Sequence, residues 1–185
     1  MTMYAAGGIP LYEKVDTNLD FAAREKAVAD FWRENHIAQR AVDQREGCDT
    51  FTFYDGPPTA NGRPHIGHVL TRVIKDMLPR YQSMKGRKVL RKAGWDTHGL
   101  PVELEVEKAI GINGKEQIEE YGIEPFIKKC RESVWKYKSM WEQFSDVVGF
   151  WADMEHPYIT YENDFIESEW WALKEIWKKG LLYQG

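Results

Sequence analysis

The stretch that decides the fold is Phe51-Thr52-Phe53-Tyr54-Asp55-Gly56-Pro57-Pro58, followed after a short turn by Pro64-His65-Ile66-Gly67-His68. Its first residues are aromatic or β-branched, which is typical of a buried strand. Gly56-Pro57-Pro58 ends the strand, because two prolines cannot donate to a ladder. Pro64 suits the first position of a helix, where its missing N–H costs nothing. The stretch therefore predicts a strand, a turn and the start of a helix.

A long helix and a second strand would complete one βαβ unit. Apolar residues recur at helical spacing from Ile66 to Met84, and we expect Pro79 to kink this helix or to end it early. The second candidate strand is Lys88-Val89-Leu90-Arg91-Lys92. Strand, helix and strand within about 40 residues imply a parallel sheet with a right-handed crossover, and so an α/β fold class.

The rest of the chain is predicted to be mainly helical. Asn18 or Asp20 could cap a helix over residues 20–36, and the polar residues 39–50 predict a loop. Asp164 with Glu167 resembles a capping box. Four further helices are expected, each closed by a glycine: 101–109, 115–121, 125–148 and 163–179. Two short strands are expected as well: Tyr158-Ile159-Thr160 and one that begins at Leu181-Leu182-Tyr183.

Composition excludes several classes of protein. The 185 residues are 43% apolar and 29% charged, which excludes disordered and collagen-like chains. The net charge of −4 gives no overall basic field of the kind that nucleic-acid-binding domains carry. Cys48 and Cys130 form no Cys-x-x-Cys metal site, and they favour a reducing, cytoplasmic compartment. No apolar run approaches the roughly 20 residues that span a bilayer, so no membrane partner is expected.

The two histidines at the predicted helix start are the strongest candidates for chemistry. A helix N-terminus carries unpaired N–H groups and a partial positive charge, so it attracts phosphate. His65 and His68 could both point beyond the helix end and donate to a phosphoryl group. Gly67 leaves the backbone between them open to a flat ring. Such a site lies at the carboxyl end of a parallel strand, where open α/β sheets bind ligands.

Other interpretations of these residues stay open. The His-x-x-His pair could be half of a metal site, with Asp96 and His98 as prospective partners, or it could simply face solvent. Asp96 could hold a substrate ammonium, but an aspartate that only stabilises its own turn is the more ordinary case. The common nucleotide-binding motifs are absent, since Gly111-Ile112-Asn113-Gly114-Lys115 has the wrong spacing for a phosphate-binding loop.

The same residues resemble the class I aminoacyl-tRNA synthetases. Pro64-His65-Ile66-Gly67-His68 looks like their His-Ile-Gly-His motif, and the surroundings are more specific. The segments 54–62, 94–103 and 161–183 all resemble the isoleucyl-tRNA synthetases. Valyl- and leucyl-tRNA synthetases are the near relatives, but their strand-to-helix turns usually differ from Tyr-Asp-Gly-Pro-Pro. The resemblance runs over nearly the whole chain and is weakest in residues 1–10.

This resemblance implies a Rossmann-type catalytic domain and a two-step reaction. The carboxylate of isoleucine attacks the α-phosphate of ATP, which gives isoleucyl-adenylate and pyrophosphate. The aminoacyl group then passes to the terminal ribose of tRNA(Ile). The implied cofactor is ATP with Mg²⁺, and the implied partners are isoleucine, ATP and, through the full-length enzyme, tRNA(Ile).

The resemblance also assigns roles to single residues. His65 and His68 would be catalytic and stabilise the phosphates in the transition state, while Gly67 would let the nucleotide approach. Further ATP-binding residues would be Thr59 and Asn61. The amino-acid pocket would be formed by Gly56 and Pro57, with Asp96 as the partner of the ammonium group. No metal ligand is expected among these residues.

The family pattern predicts the domain organisation. Residues 1–48 would be an N-terminal extension with one helix, and residues 49–185 the first half of the class I Rossmann catalytic domain, truncated before the editing insertion. The second family motif, Lys-Met-Ser-Lys-Ser, does not occur here, and zinc is expected only in the missing part. We therefore expect an amino-terminal fragment that is weakly active or inactive alone.

Three alternatives to an isoleucine enzyme remain at this point. The chain could belong to a valyl- or leucyl-tRNA synthetase. It could be a nucleotidylyltransferase, since those enzymes use a similar His-x-Gly-His, although this leaves the segment 94–103 unexplained. It could also be a non-catalytic module that binds nucleotide or tRNA.

Overall fold

The structure is a computed structural model that describes residues 16–59 and 62–185. Its contacts divide the chain into one unit that ends at His36 and a second that begins at Ile37. Within the described residues the elements follow in this order: α1 (Phe21–Glu34), α2 (Ile37–Asp43), β1 (Thr50–Tyr54), α3 (Ile66–Met84), β2 (Lys88–Trp95), α4 (Leu100–Ile110), α5 (Lys115–Tyr121), α6 (Ile123–Ser133), α7 (Lys138–Val147), β3 (Asp153–Ile159) and α8 (Asn163–Lys178).

The first unit contains α1, which confirms the helix predicted over residues 20–36. Asp20 is its N-cap and accepts a hydrogen bond from the N–H of Ala23 at 3.0 Å. Asp30 accepts from Lys26 at 2.6 Å and from Arg33 at 3.0 Å, so charged pairs support the exposed helix. None of the residues of α1 is buried within the chain as described.

The second unit is built on a parallel sheet with the strand order β1-β2-β3. Residues 50–54 of β1 pair in register with residues 88–92 of β2, and α3 connects these two strands. The predicted βαβ unit is thereby confirmed. Because all three strands are parallel, Tyr54, Trp95 and Ile159 end them at one edge of the sheet.

The loop predicted over residues 39–50 is wrong in its first part, because α2 occupies Ile37–Asp43. Residues 16–48 thus contain two helices, where the sequence predicted one. The guanidinium of Arg45 explains the difference, since it donates to the carbonyl of Ala41 at 2.6 Å and to that of Ser83 at 2.8 Å. The first bond satisfies a carbonyl at the C-terminal end of α2, a helix that is too short to be stable alone, and the second attaches it to the end of α3.

The long helix α3 differs from its prediction at Pro64, and it continues through Pro79. Pro64 lies outside it, because His65 is the N-cap and the first helical residue is Ile66. Pro79 does not end the helix early, since α3 continues to Met84. Pro79 is one of the most deeply buried side chains, so its packing offsets a missing N–H bond that costs about 3 kcal/mol or more.

The single helix predicted over residues 125–148 is two helices, α6 and α7, separated at 134–137. Val134 in this break is completely buried and packs in the core with Trp95, Val102 and Trp141. The neighbouring Trp135 donates its indole N–H to the Tyr161 hydroxyl at 3.1 Å. Both helices face one core, which is why the apolar periodicity continued across the break.

Two predictions at the C-terminal end are wrong. The N-cap of α8 is Glu162, without a side-chain bond, so the capping box of Asp164 and Glu167 does not form. The strand expected at Leu181-Leu182-Tyr183 is absent as well, since residues 181–185 belong to no described helix or strand. A strand requires a paired neighbour, and the described strands pair only with one another. The expected strand at 158–160 does exist, but β3 begins earlier, at Asp153.

Gly94 is the residue on which the packing of β2 against β3 depends. A Cβ at this position would lie 2.2 Å from Cζ of Tyr158, so any side chain must displace that ring. We expect Gly94→Ala to lower the free energy of unfolding by about 1–3 kcal/mol, as overpacking does. Urea unfolding followed by circular dichroism measures this change. Gly62→Ala is the matched control, since no heavy atom lies within 4 Å of its Cβ position. Equal stabilities of the two variants would contradict the prediction.

Candidate nucleotide and amino-acid site

The two histidines of the motif form a capping box at the start of α3. The Nδ1 atom of His65 accepts from the N–H of Gly67 at 3.1 Å, and the Nδ1 atom of His68 accepts from the N–H of His65 at 3.0 Å. The ring centroids lie 3.9 Å apart. A neutral imidazole that accepts at Nδ1 carries its proton at Nε2. Neither Nε2–H takes part in the cap, so both are donors that the cap itself does not use.

The capping box changes which groups at the helix start we expect to bind an anion. The amide of Gly67 donates to the ring of His65, and the amide of His68 donates to the carbonyl of His65 at 2.9 Å. Two of the first N–H groups of α3 are therefore engaged inside the turn. The imidazoles, rather than these two amides, are the groups that the helix start offers to a phosphate.

Gly67 lies against the ring of His65, a contact that the sequence did not indicate. A Cβ there would lie 2.9 Å from Cε1 of His65. The absence of a side chain thus seats the ring of His65 against the backbone, because a β-carbon would push that ring out of its cap. The approach of a nucleotide to Gly67 stays a prediction.

Trp141 of α7 supports His68 and the turn before α3. Its ring meets that of His68 edge to face, with 4.7 Å between centroids, and its indole N–H donates to the carbonyl of Gly62 at 2.8 Å. The apolar periodicity of residues 125–148 predicts a packing face that includes Trp141, but it does not indicate which of its residues lies beside the motif. In the structure, Trp141 lines the site beside His68.

Asp96 lies beside the turn that follows β1. It comes directly after β2, its N–H donates to the carbonyl of Pro58 at 3.2 Å, and it bridges Thr59 across the sheet. The predicted amino-acid pocket residues, Gly56 and Pro57, stand in the same turn as Pro58. The structure thus brings the residues predicted for the amino-acid pocket to one edge of the sheet. Asn61 lies outside the described residues.

The sequence analysis missed a buried ion cluster that ties this turn to α3. Asp55 is 1% exposed and pairs with Arg72 at 2.5 Å and with Lys75 at 2.8 Å. The Lys75 ammonium also donates to the carbonyl of Gly56 at 2.7 Å, and the guanidinium of Arg72 lies 4.2 Å from the ring of Phe150. Two basic residues three apart on one helix, after an aspartate at a strand end, were the signal available.

Tyr158 of β3 contacts the main chain at the C-terminal end of β1. Its hydroxyl donates to the main-chain carbonyl of Asp55, and its ring stacks on Phe165 with 5.7 Å between centroids. Burial raises the pKa of the Tyr158 phenol, and the carboxylates of Asp55 and Asp96 raise it further. The phenol therefore keeps its proton and remains a donor.

The capping box makes the helix start sensitive to acid. Burial lowers the pKa of His68 below its usual 6.5, and the positive potential of His65 and Arg72 lowers it further. The unfolded chain then binds more protons than the folded chain in this range, so stability falls as the pH drops through 6.5 towards the folded pKa. We expect the ring-proton NMR signal of His68 to titrate below pH 6.5. A midpoint above 6.5 would contradict this prediction.

The described residues contain neither a membrane-spanning helix nor a cluster of metal-binding side chains. No helix in 16–59 or 62–185 is both long enough and apolar enough to cross a bilayer. Nowhere in the same ranges do three His, Cys, Asp or Glu side chains gather into a possible metal site. Asp96 and His98 therefore do not join the two histidines in such a group.

Comparison with known proteins shows the family of this chain. The family described as tRNA synthetases class I (I, L, M and V) matches residues 27–185. An isoleucine–tRNA ligase of Clostridium kluyveri is 62% identical over 175 residues, which are 95% of this chain and 17% of that protein. An isoleucine–tRNA ligase 2 of Bacillus anthracis is 57% identical over 173 residues, which are 94% of this chain and 17% of that protein. The chain thus spans about a sixth of the length of these relatives.

The fold has a counterpart among solved structures. A LeuRS–tRNA–LeuAMS ternary complex of Agrobacterium radiobacter superposes with a TM-score of 0.57 at 23% identity, covering 90% of this chain and 19% of that one. This likeness confirms the Rossmann-type α/β fold, and the isoleucine enzymes among the curated relatives confirm the resemblance found in the sequence. The match over residues 27–185 includes the histidine motif, the turn after β1 and the Asp96 segment, and with them this chain belongs to the class I tRNA synthetases.

Proposed function

We propose that this chain is the part of a larger isoleucine–tRNA ligase that binds ATP and isoleucine and joins them into isoleucyl-adenylate. The observation that carries the proposal is the pair of histidines whose Nδ1 atoms are engaged in the cap of α3. Their Nε2–H groups are thereby oriented donors next to the carboxyl edge of the sheet. Residues 49–185 would belong to the catalytic domain, and residues 1–48 would precede it as an extension.

The histidines would act on the phosphates of ATP. As the carboxylate of isoleucine attacks the α-phosphate, a bond forms from its oxygen to phosphorus and the bond to the pyrophosphate oxygen breaks. Negative charge shifts over the phosphate oxygens, and the Nε2–H groups of His65 and His68 would follow it. The cap holds both rings in place beforehand, so little reorganisation is required. Mg²⁺ would accompany ATP, and Gly67, Thr59 and Asn61 would lie along the nucleotide.

The edge beside the turn would hold the amino acid. Gly56 and Pro57 would line the side chain of isoleucine, and the carboxylate of Asp96 would pair with its ammonium group. The backbone bridge between Asp96 and Thr59 supports this assignment, because it keeps the main chain of Asp96 beside the turn. In the second step the aminoacyl group would pass to tRNA(Ile), which the intact enzyme would bind in the cytoplasm.

Amino-acid-dependent exchange of pyrophosphate into ATP tests the proposal. In the intact synthetase that contains this chain, we expect isoleucine to support exchange more efficiently than valine or leucine, and the isolated chain to show little exchange. A preference for valine or leucine would assign the chain to one of the related enzymes. Turnover of a non-amino-acid acceptor would indicate a nucleotidylyltransferase, and ATP binding without exchange would indicate a binding module.

A further inference from the structure

A buried threonine after β3 holds the main chain on both sides of Asp96. The N–H of Thr160 donates to the carbonyl of Trp95 at 3.1 Å, and the N–H of Thr97 donates to the hydroxyl of Thr160 at 3.0 Å. Thr160 is 6% exposed and Thr97 is 3% exposed, so water does not replace these bonds. The residues before and after Asp96 are thus both bonded to the residue that follows the neighbouring strand.

The hydroxyl of Thr160 makes three hydrogen-bond contacts, which is as many as one proton and two lone pairs allow. Besides the N–H of Thr97, it lies 2.7 Å from Nδ1 of His98 and 3.2 Å from the hydroxyl of Thr97. A hydroxyl offers one proton and two lone pairs. It can therefore accept from both groups of Thr97 and donate to His98, while the Thr97 oxygen accepts from the N–H of Tyr161 at 3.2 Å. Every contact in this cluster is satisfied at once.

The opposite side of Asp96 is held by the turn after β1. Its N–H donates to the carbonyl of Pro58 at 3.2 Å, and the bridge to Thr59 continues the sheet by one residue. The main chain of Asp96 is consequently fixed between the turn and Thr160. Loss of the Thr160 hydroxyl would release one of these two sides and leave the buried N–H of Thr97 without its partner.

We propose that Thr160 is a positioning residue for amino-acid recognition, whose hydroxyl holds residues 97 and 98, directly after Asp96, so that the Asp96 carboxylate meets the substrate ammonium. This inference rests on the proposed function of Asp96. A displaced carboxylate weakens a contact made in both the ground state and the transition state. Such a loss raises KM for the amino acid and leaves kcat nearly unchanged. The histidines that face the phosphates lie on α3, so KM for ATP is not expected to follow.

Isoleucine-dependent pyrophosphate exchange in the intact synthetase that contains this chain tests the role of Thr160. We expect Thr160→Val, which keeps the volume and removes the hydroxyl, to raise KM for isoleucine about tenfold, the effect of losing one or two hydrogen bonds. The kcat and the KM for ATP should stay within about twofold. Thr160→Ser restores the hydroxyl and should restore KM. Thr50→Val is the matched control, because this threonine is exposed and lies at the N-terminal end of β1, away from the turn that follows Tyr54.

A second variant covers the case in which Thr160→Val fails to fold. His98 is exposed, so His98→Ala removes one contact of the hydroxyl without a cavity, and it should raise KM for isoleucine about twofold to threefold. An unchanged KM in Thr160→Val, or equal changes in KM for isoleucine and for ATP, would overturn the inference. Exchange that does not depend on isoleucine in the unmodified enzyme would overturn the proposed function instead.

Discussion

We expect His68→Ala to lower the rate of isoleucyl-adenylate formation by about 10²–10³-fold, the effect of removing one aligned transition-state donor. The variant loses the Nε2–H that would face the phosphates and also the Nδ1 atom that accepts from the N–H of His65. Pyrophosphate exchange in the intact synthetase measures the change. A rate within about tenfold of the unmodified enzyme would refute the role of His68.

Two isosteric replacements separate catalysis from capping. His68→Asn keeps an acceptor near the position of Nδ1, so the helix start should persist while exchange falls as far as in His68→Ala. His68→Gln places an amide N–H near the position of Nε2 and should recover part of the rate. His156→Ala is the matched control, since this exposed histidine contacts Asp153 of its own strand. A full rate in His68→Asn would mean that only the cap is required.

The largest loss of stability is expected for Asp55→Ala, about 3–5 kcal/mol in the free energy of unfolding. The variant leaves the Arg72 guanidinium, 4% exposed, without the carboxylate that now pairs with it. Lys75 is 33% exposed and can turn towards water, so most of the cost comes from Arg72. Urea unfolding measures the difference, and Asp146→Ala, at an exposed helical aspartate, is the control.

The double variant Asp55→Ala with Arg72→Met tests this explanation. Removing both charges leaves no unpaired buried ion, so the double variant should be more stable than Asp55→Ala alone. A strictly additive loss would show that the carboxylate acts through packing rather than through its charge. Because Lys75 also bonds the carbonyl of Gly56, Asp55→Ala should disturb the turn of the predicted amino-acid pocket as well.

Two errors of the sequence analysis share one cause. The break at 134–137 depends on burial of Val134 against residues that are distant along the chain. Helix α2 depends in the same way on the contact of Arg45 with Ser83. Periodicity reports which face of a segment is apolar, and it does not report what covers that face.

The sequence by itself determined the βαβ unit, because strand propensity, the two prolines of the turn and a helical stripe agreed with one another. It also determined the histidine motif and its family, since these are properties of residues at fixed spacing. Only the tertiary structure decided which nitrogen of each histidine is engaged in the cap, that Asp55 is paired with Arg72 and Lys75, and that Thr160 holds the segment that follows Asp96. These are contacts between residues 17 to 63 positions apart, or choices of hydrogen-bond partner, and neither is encoded by local spacing.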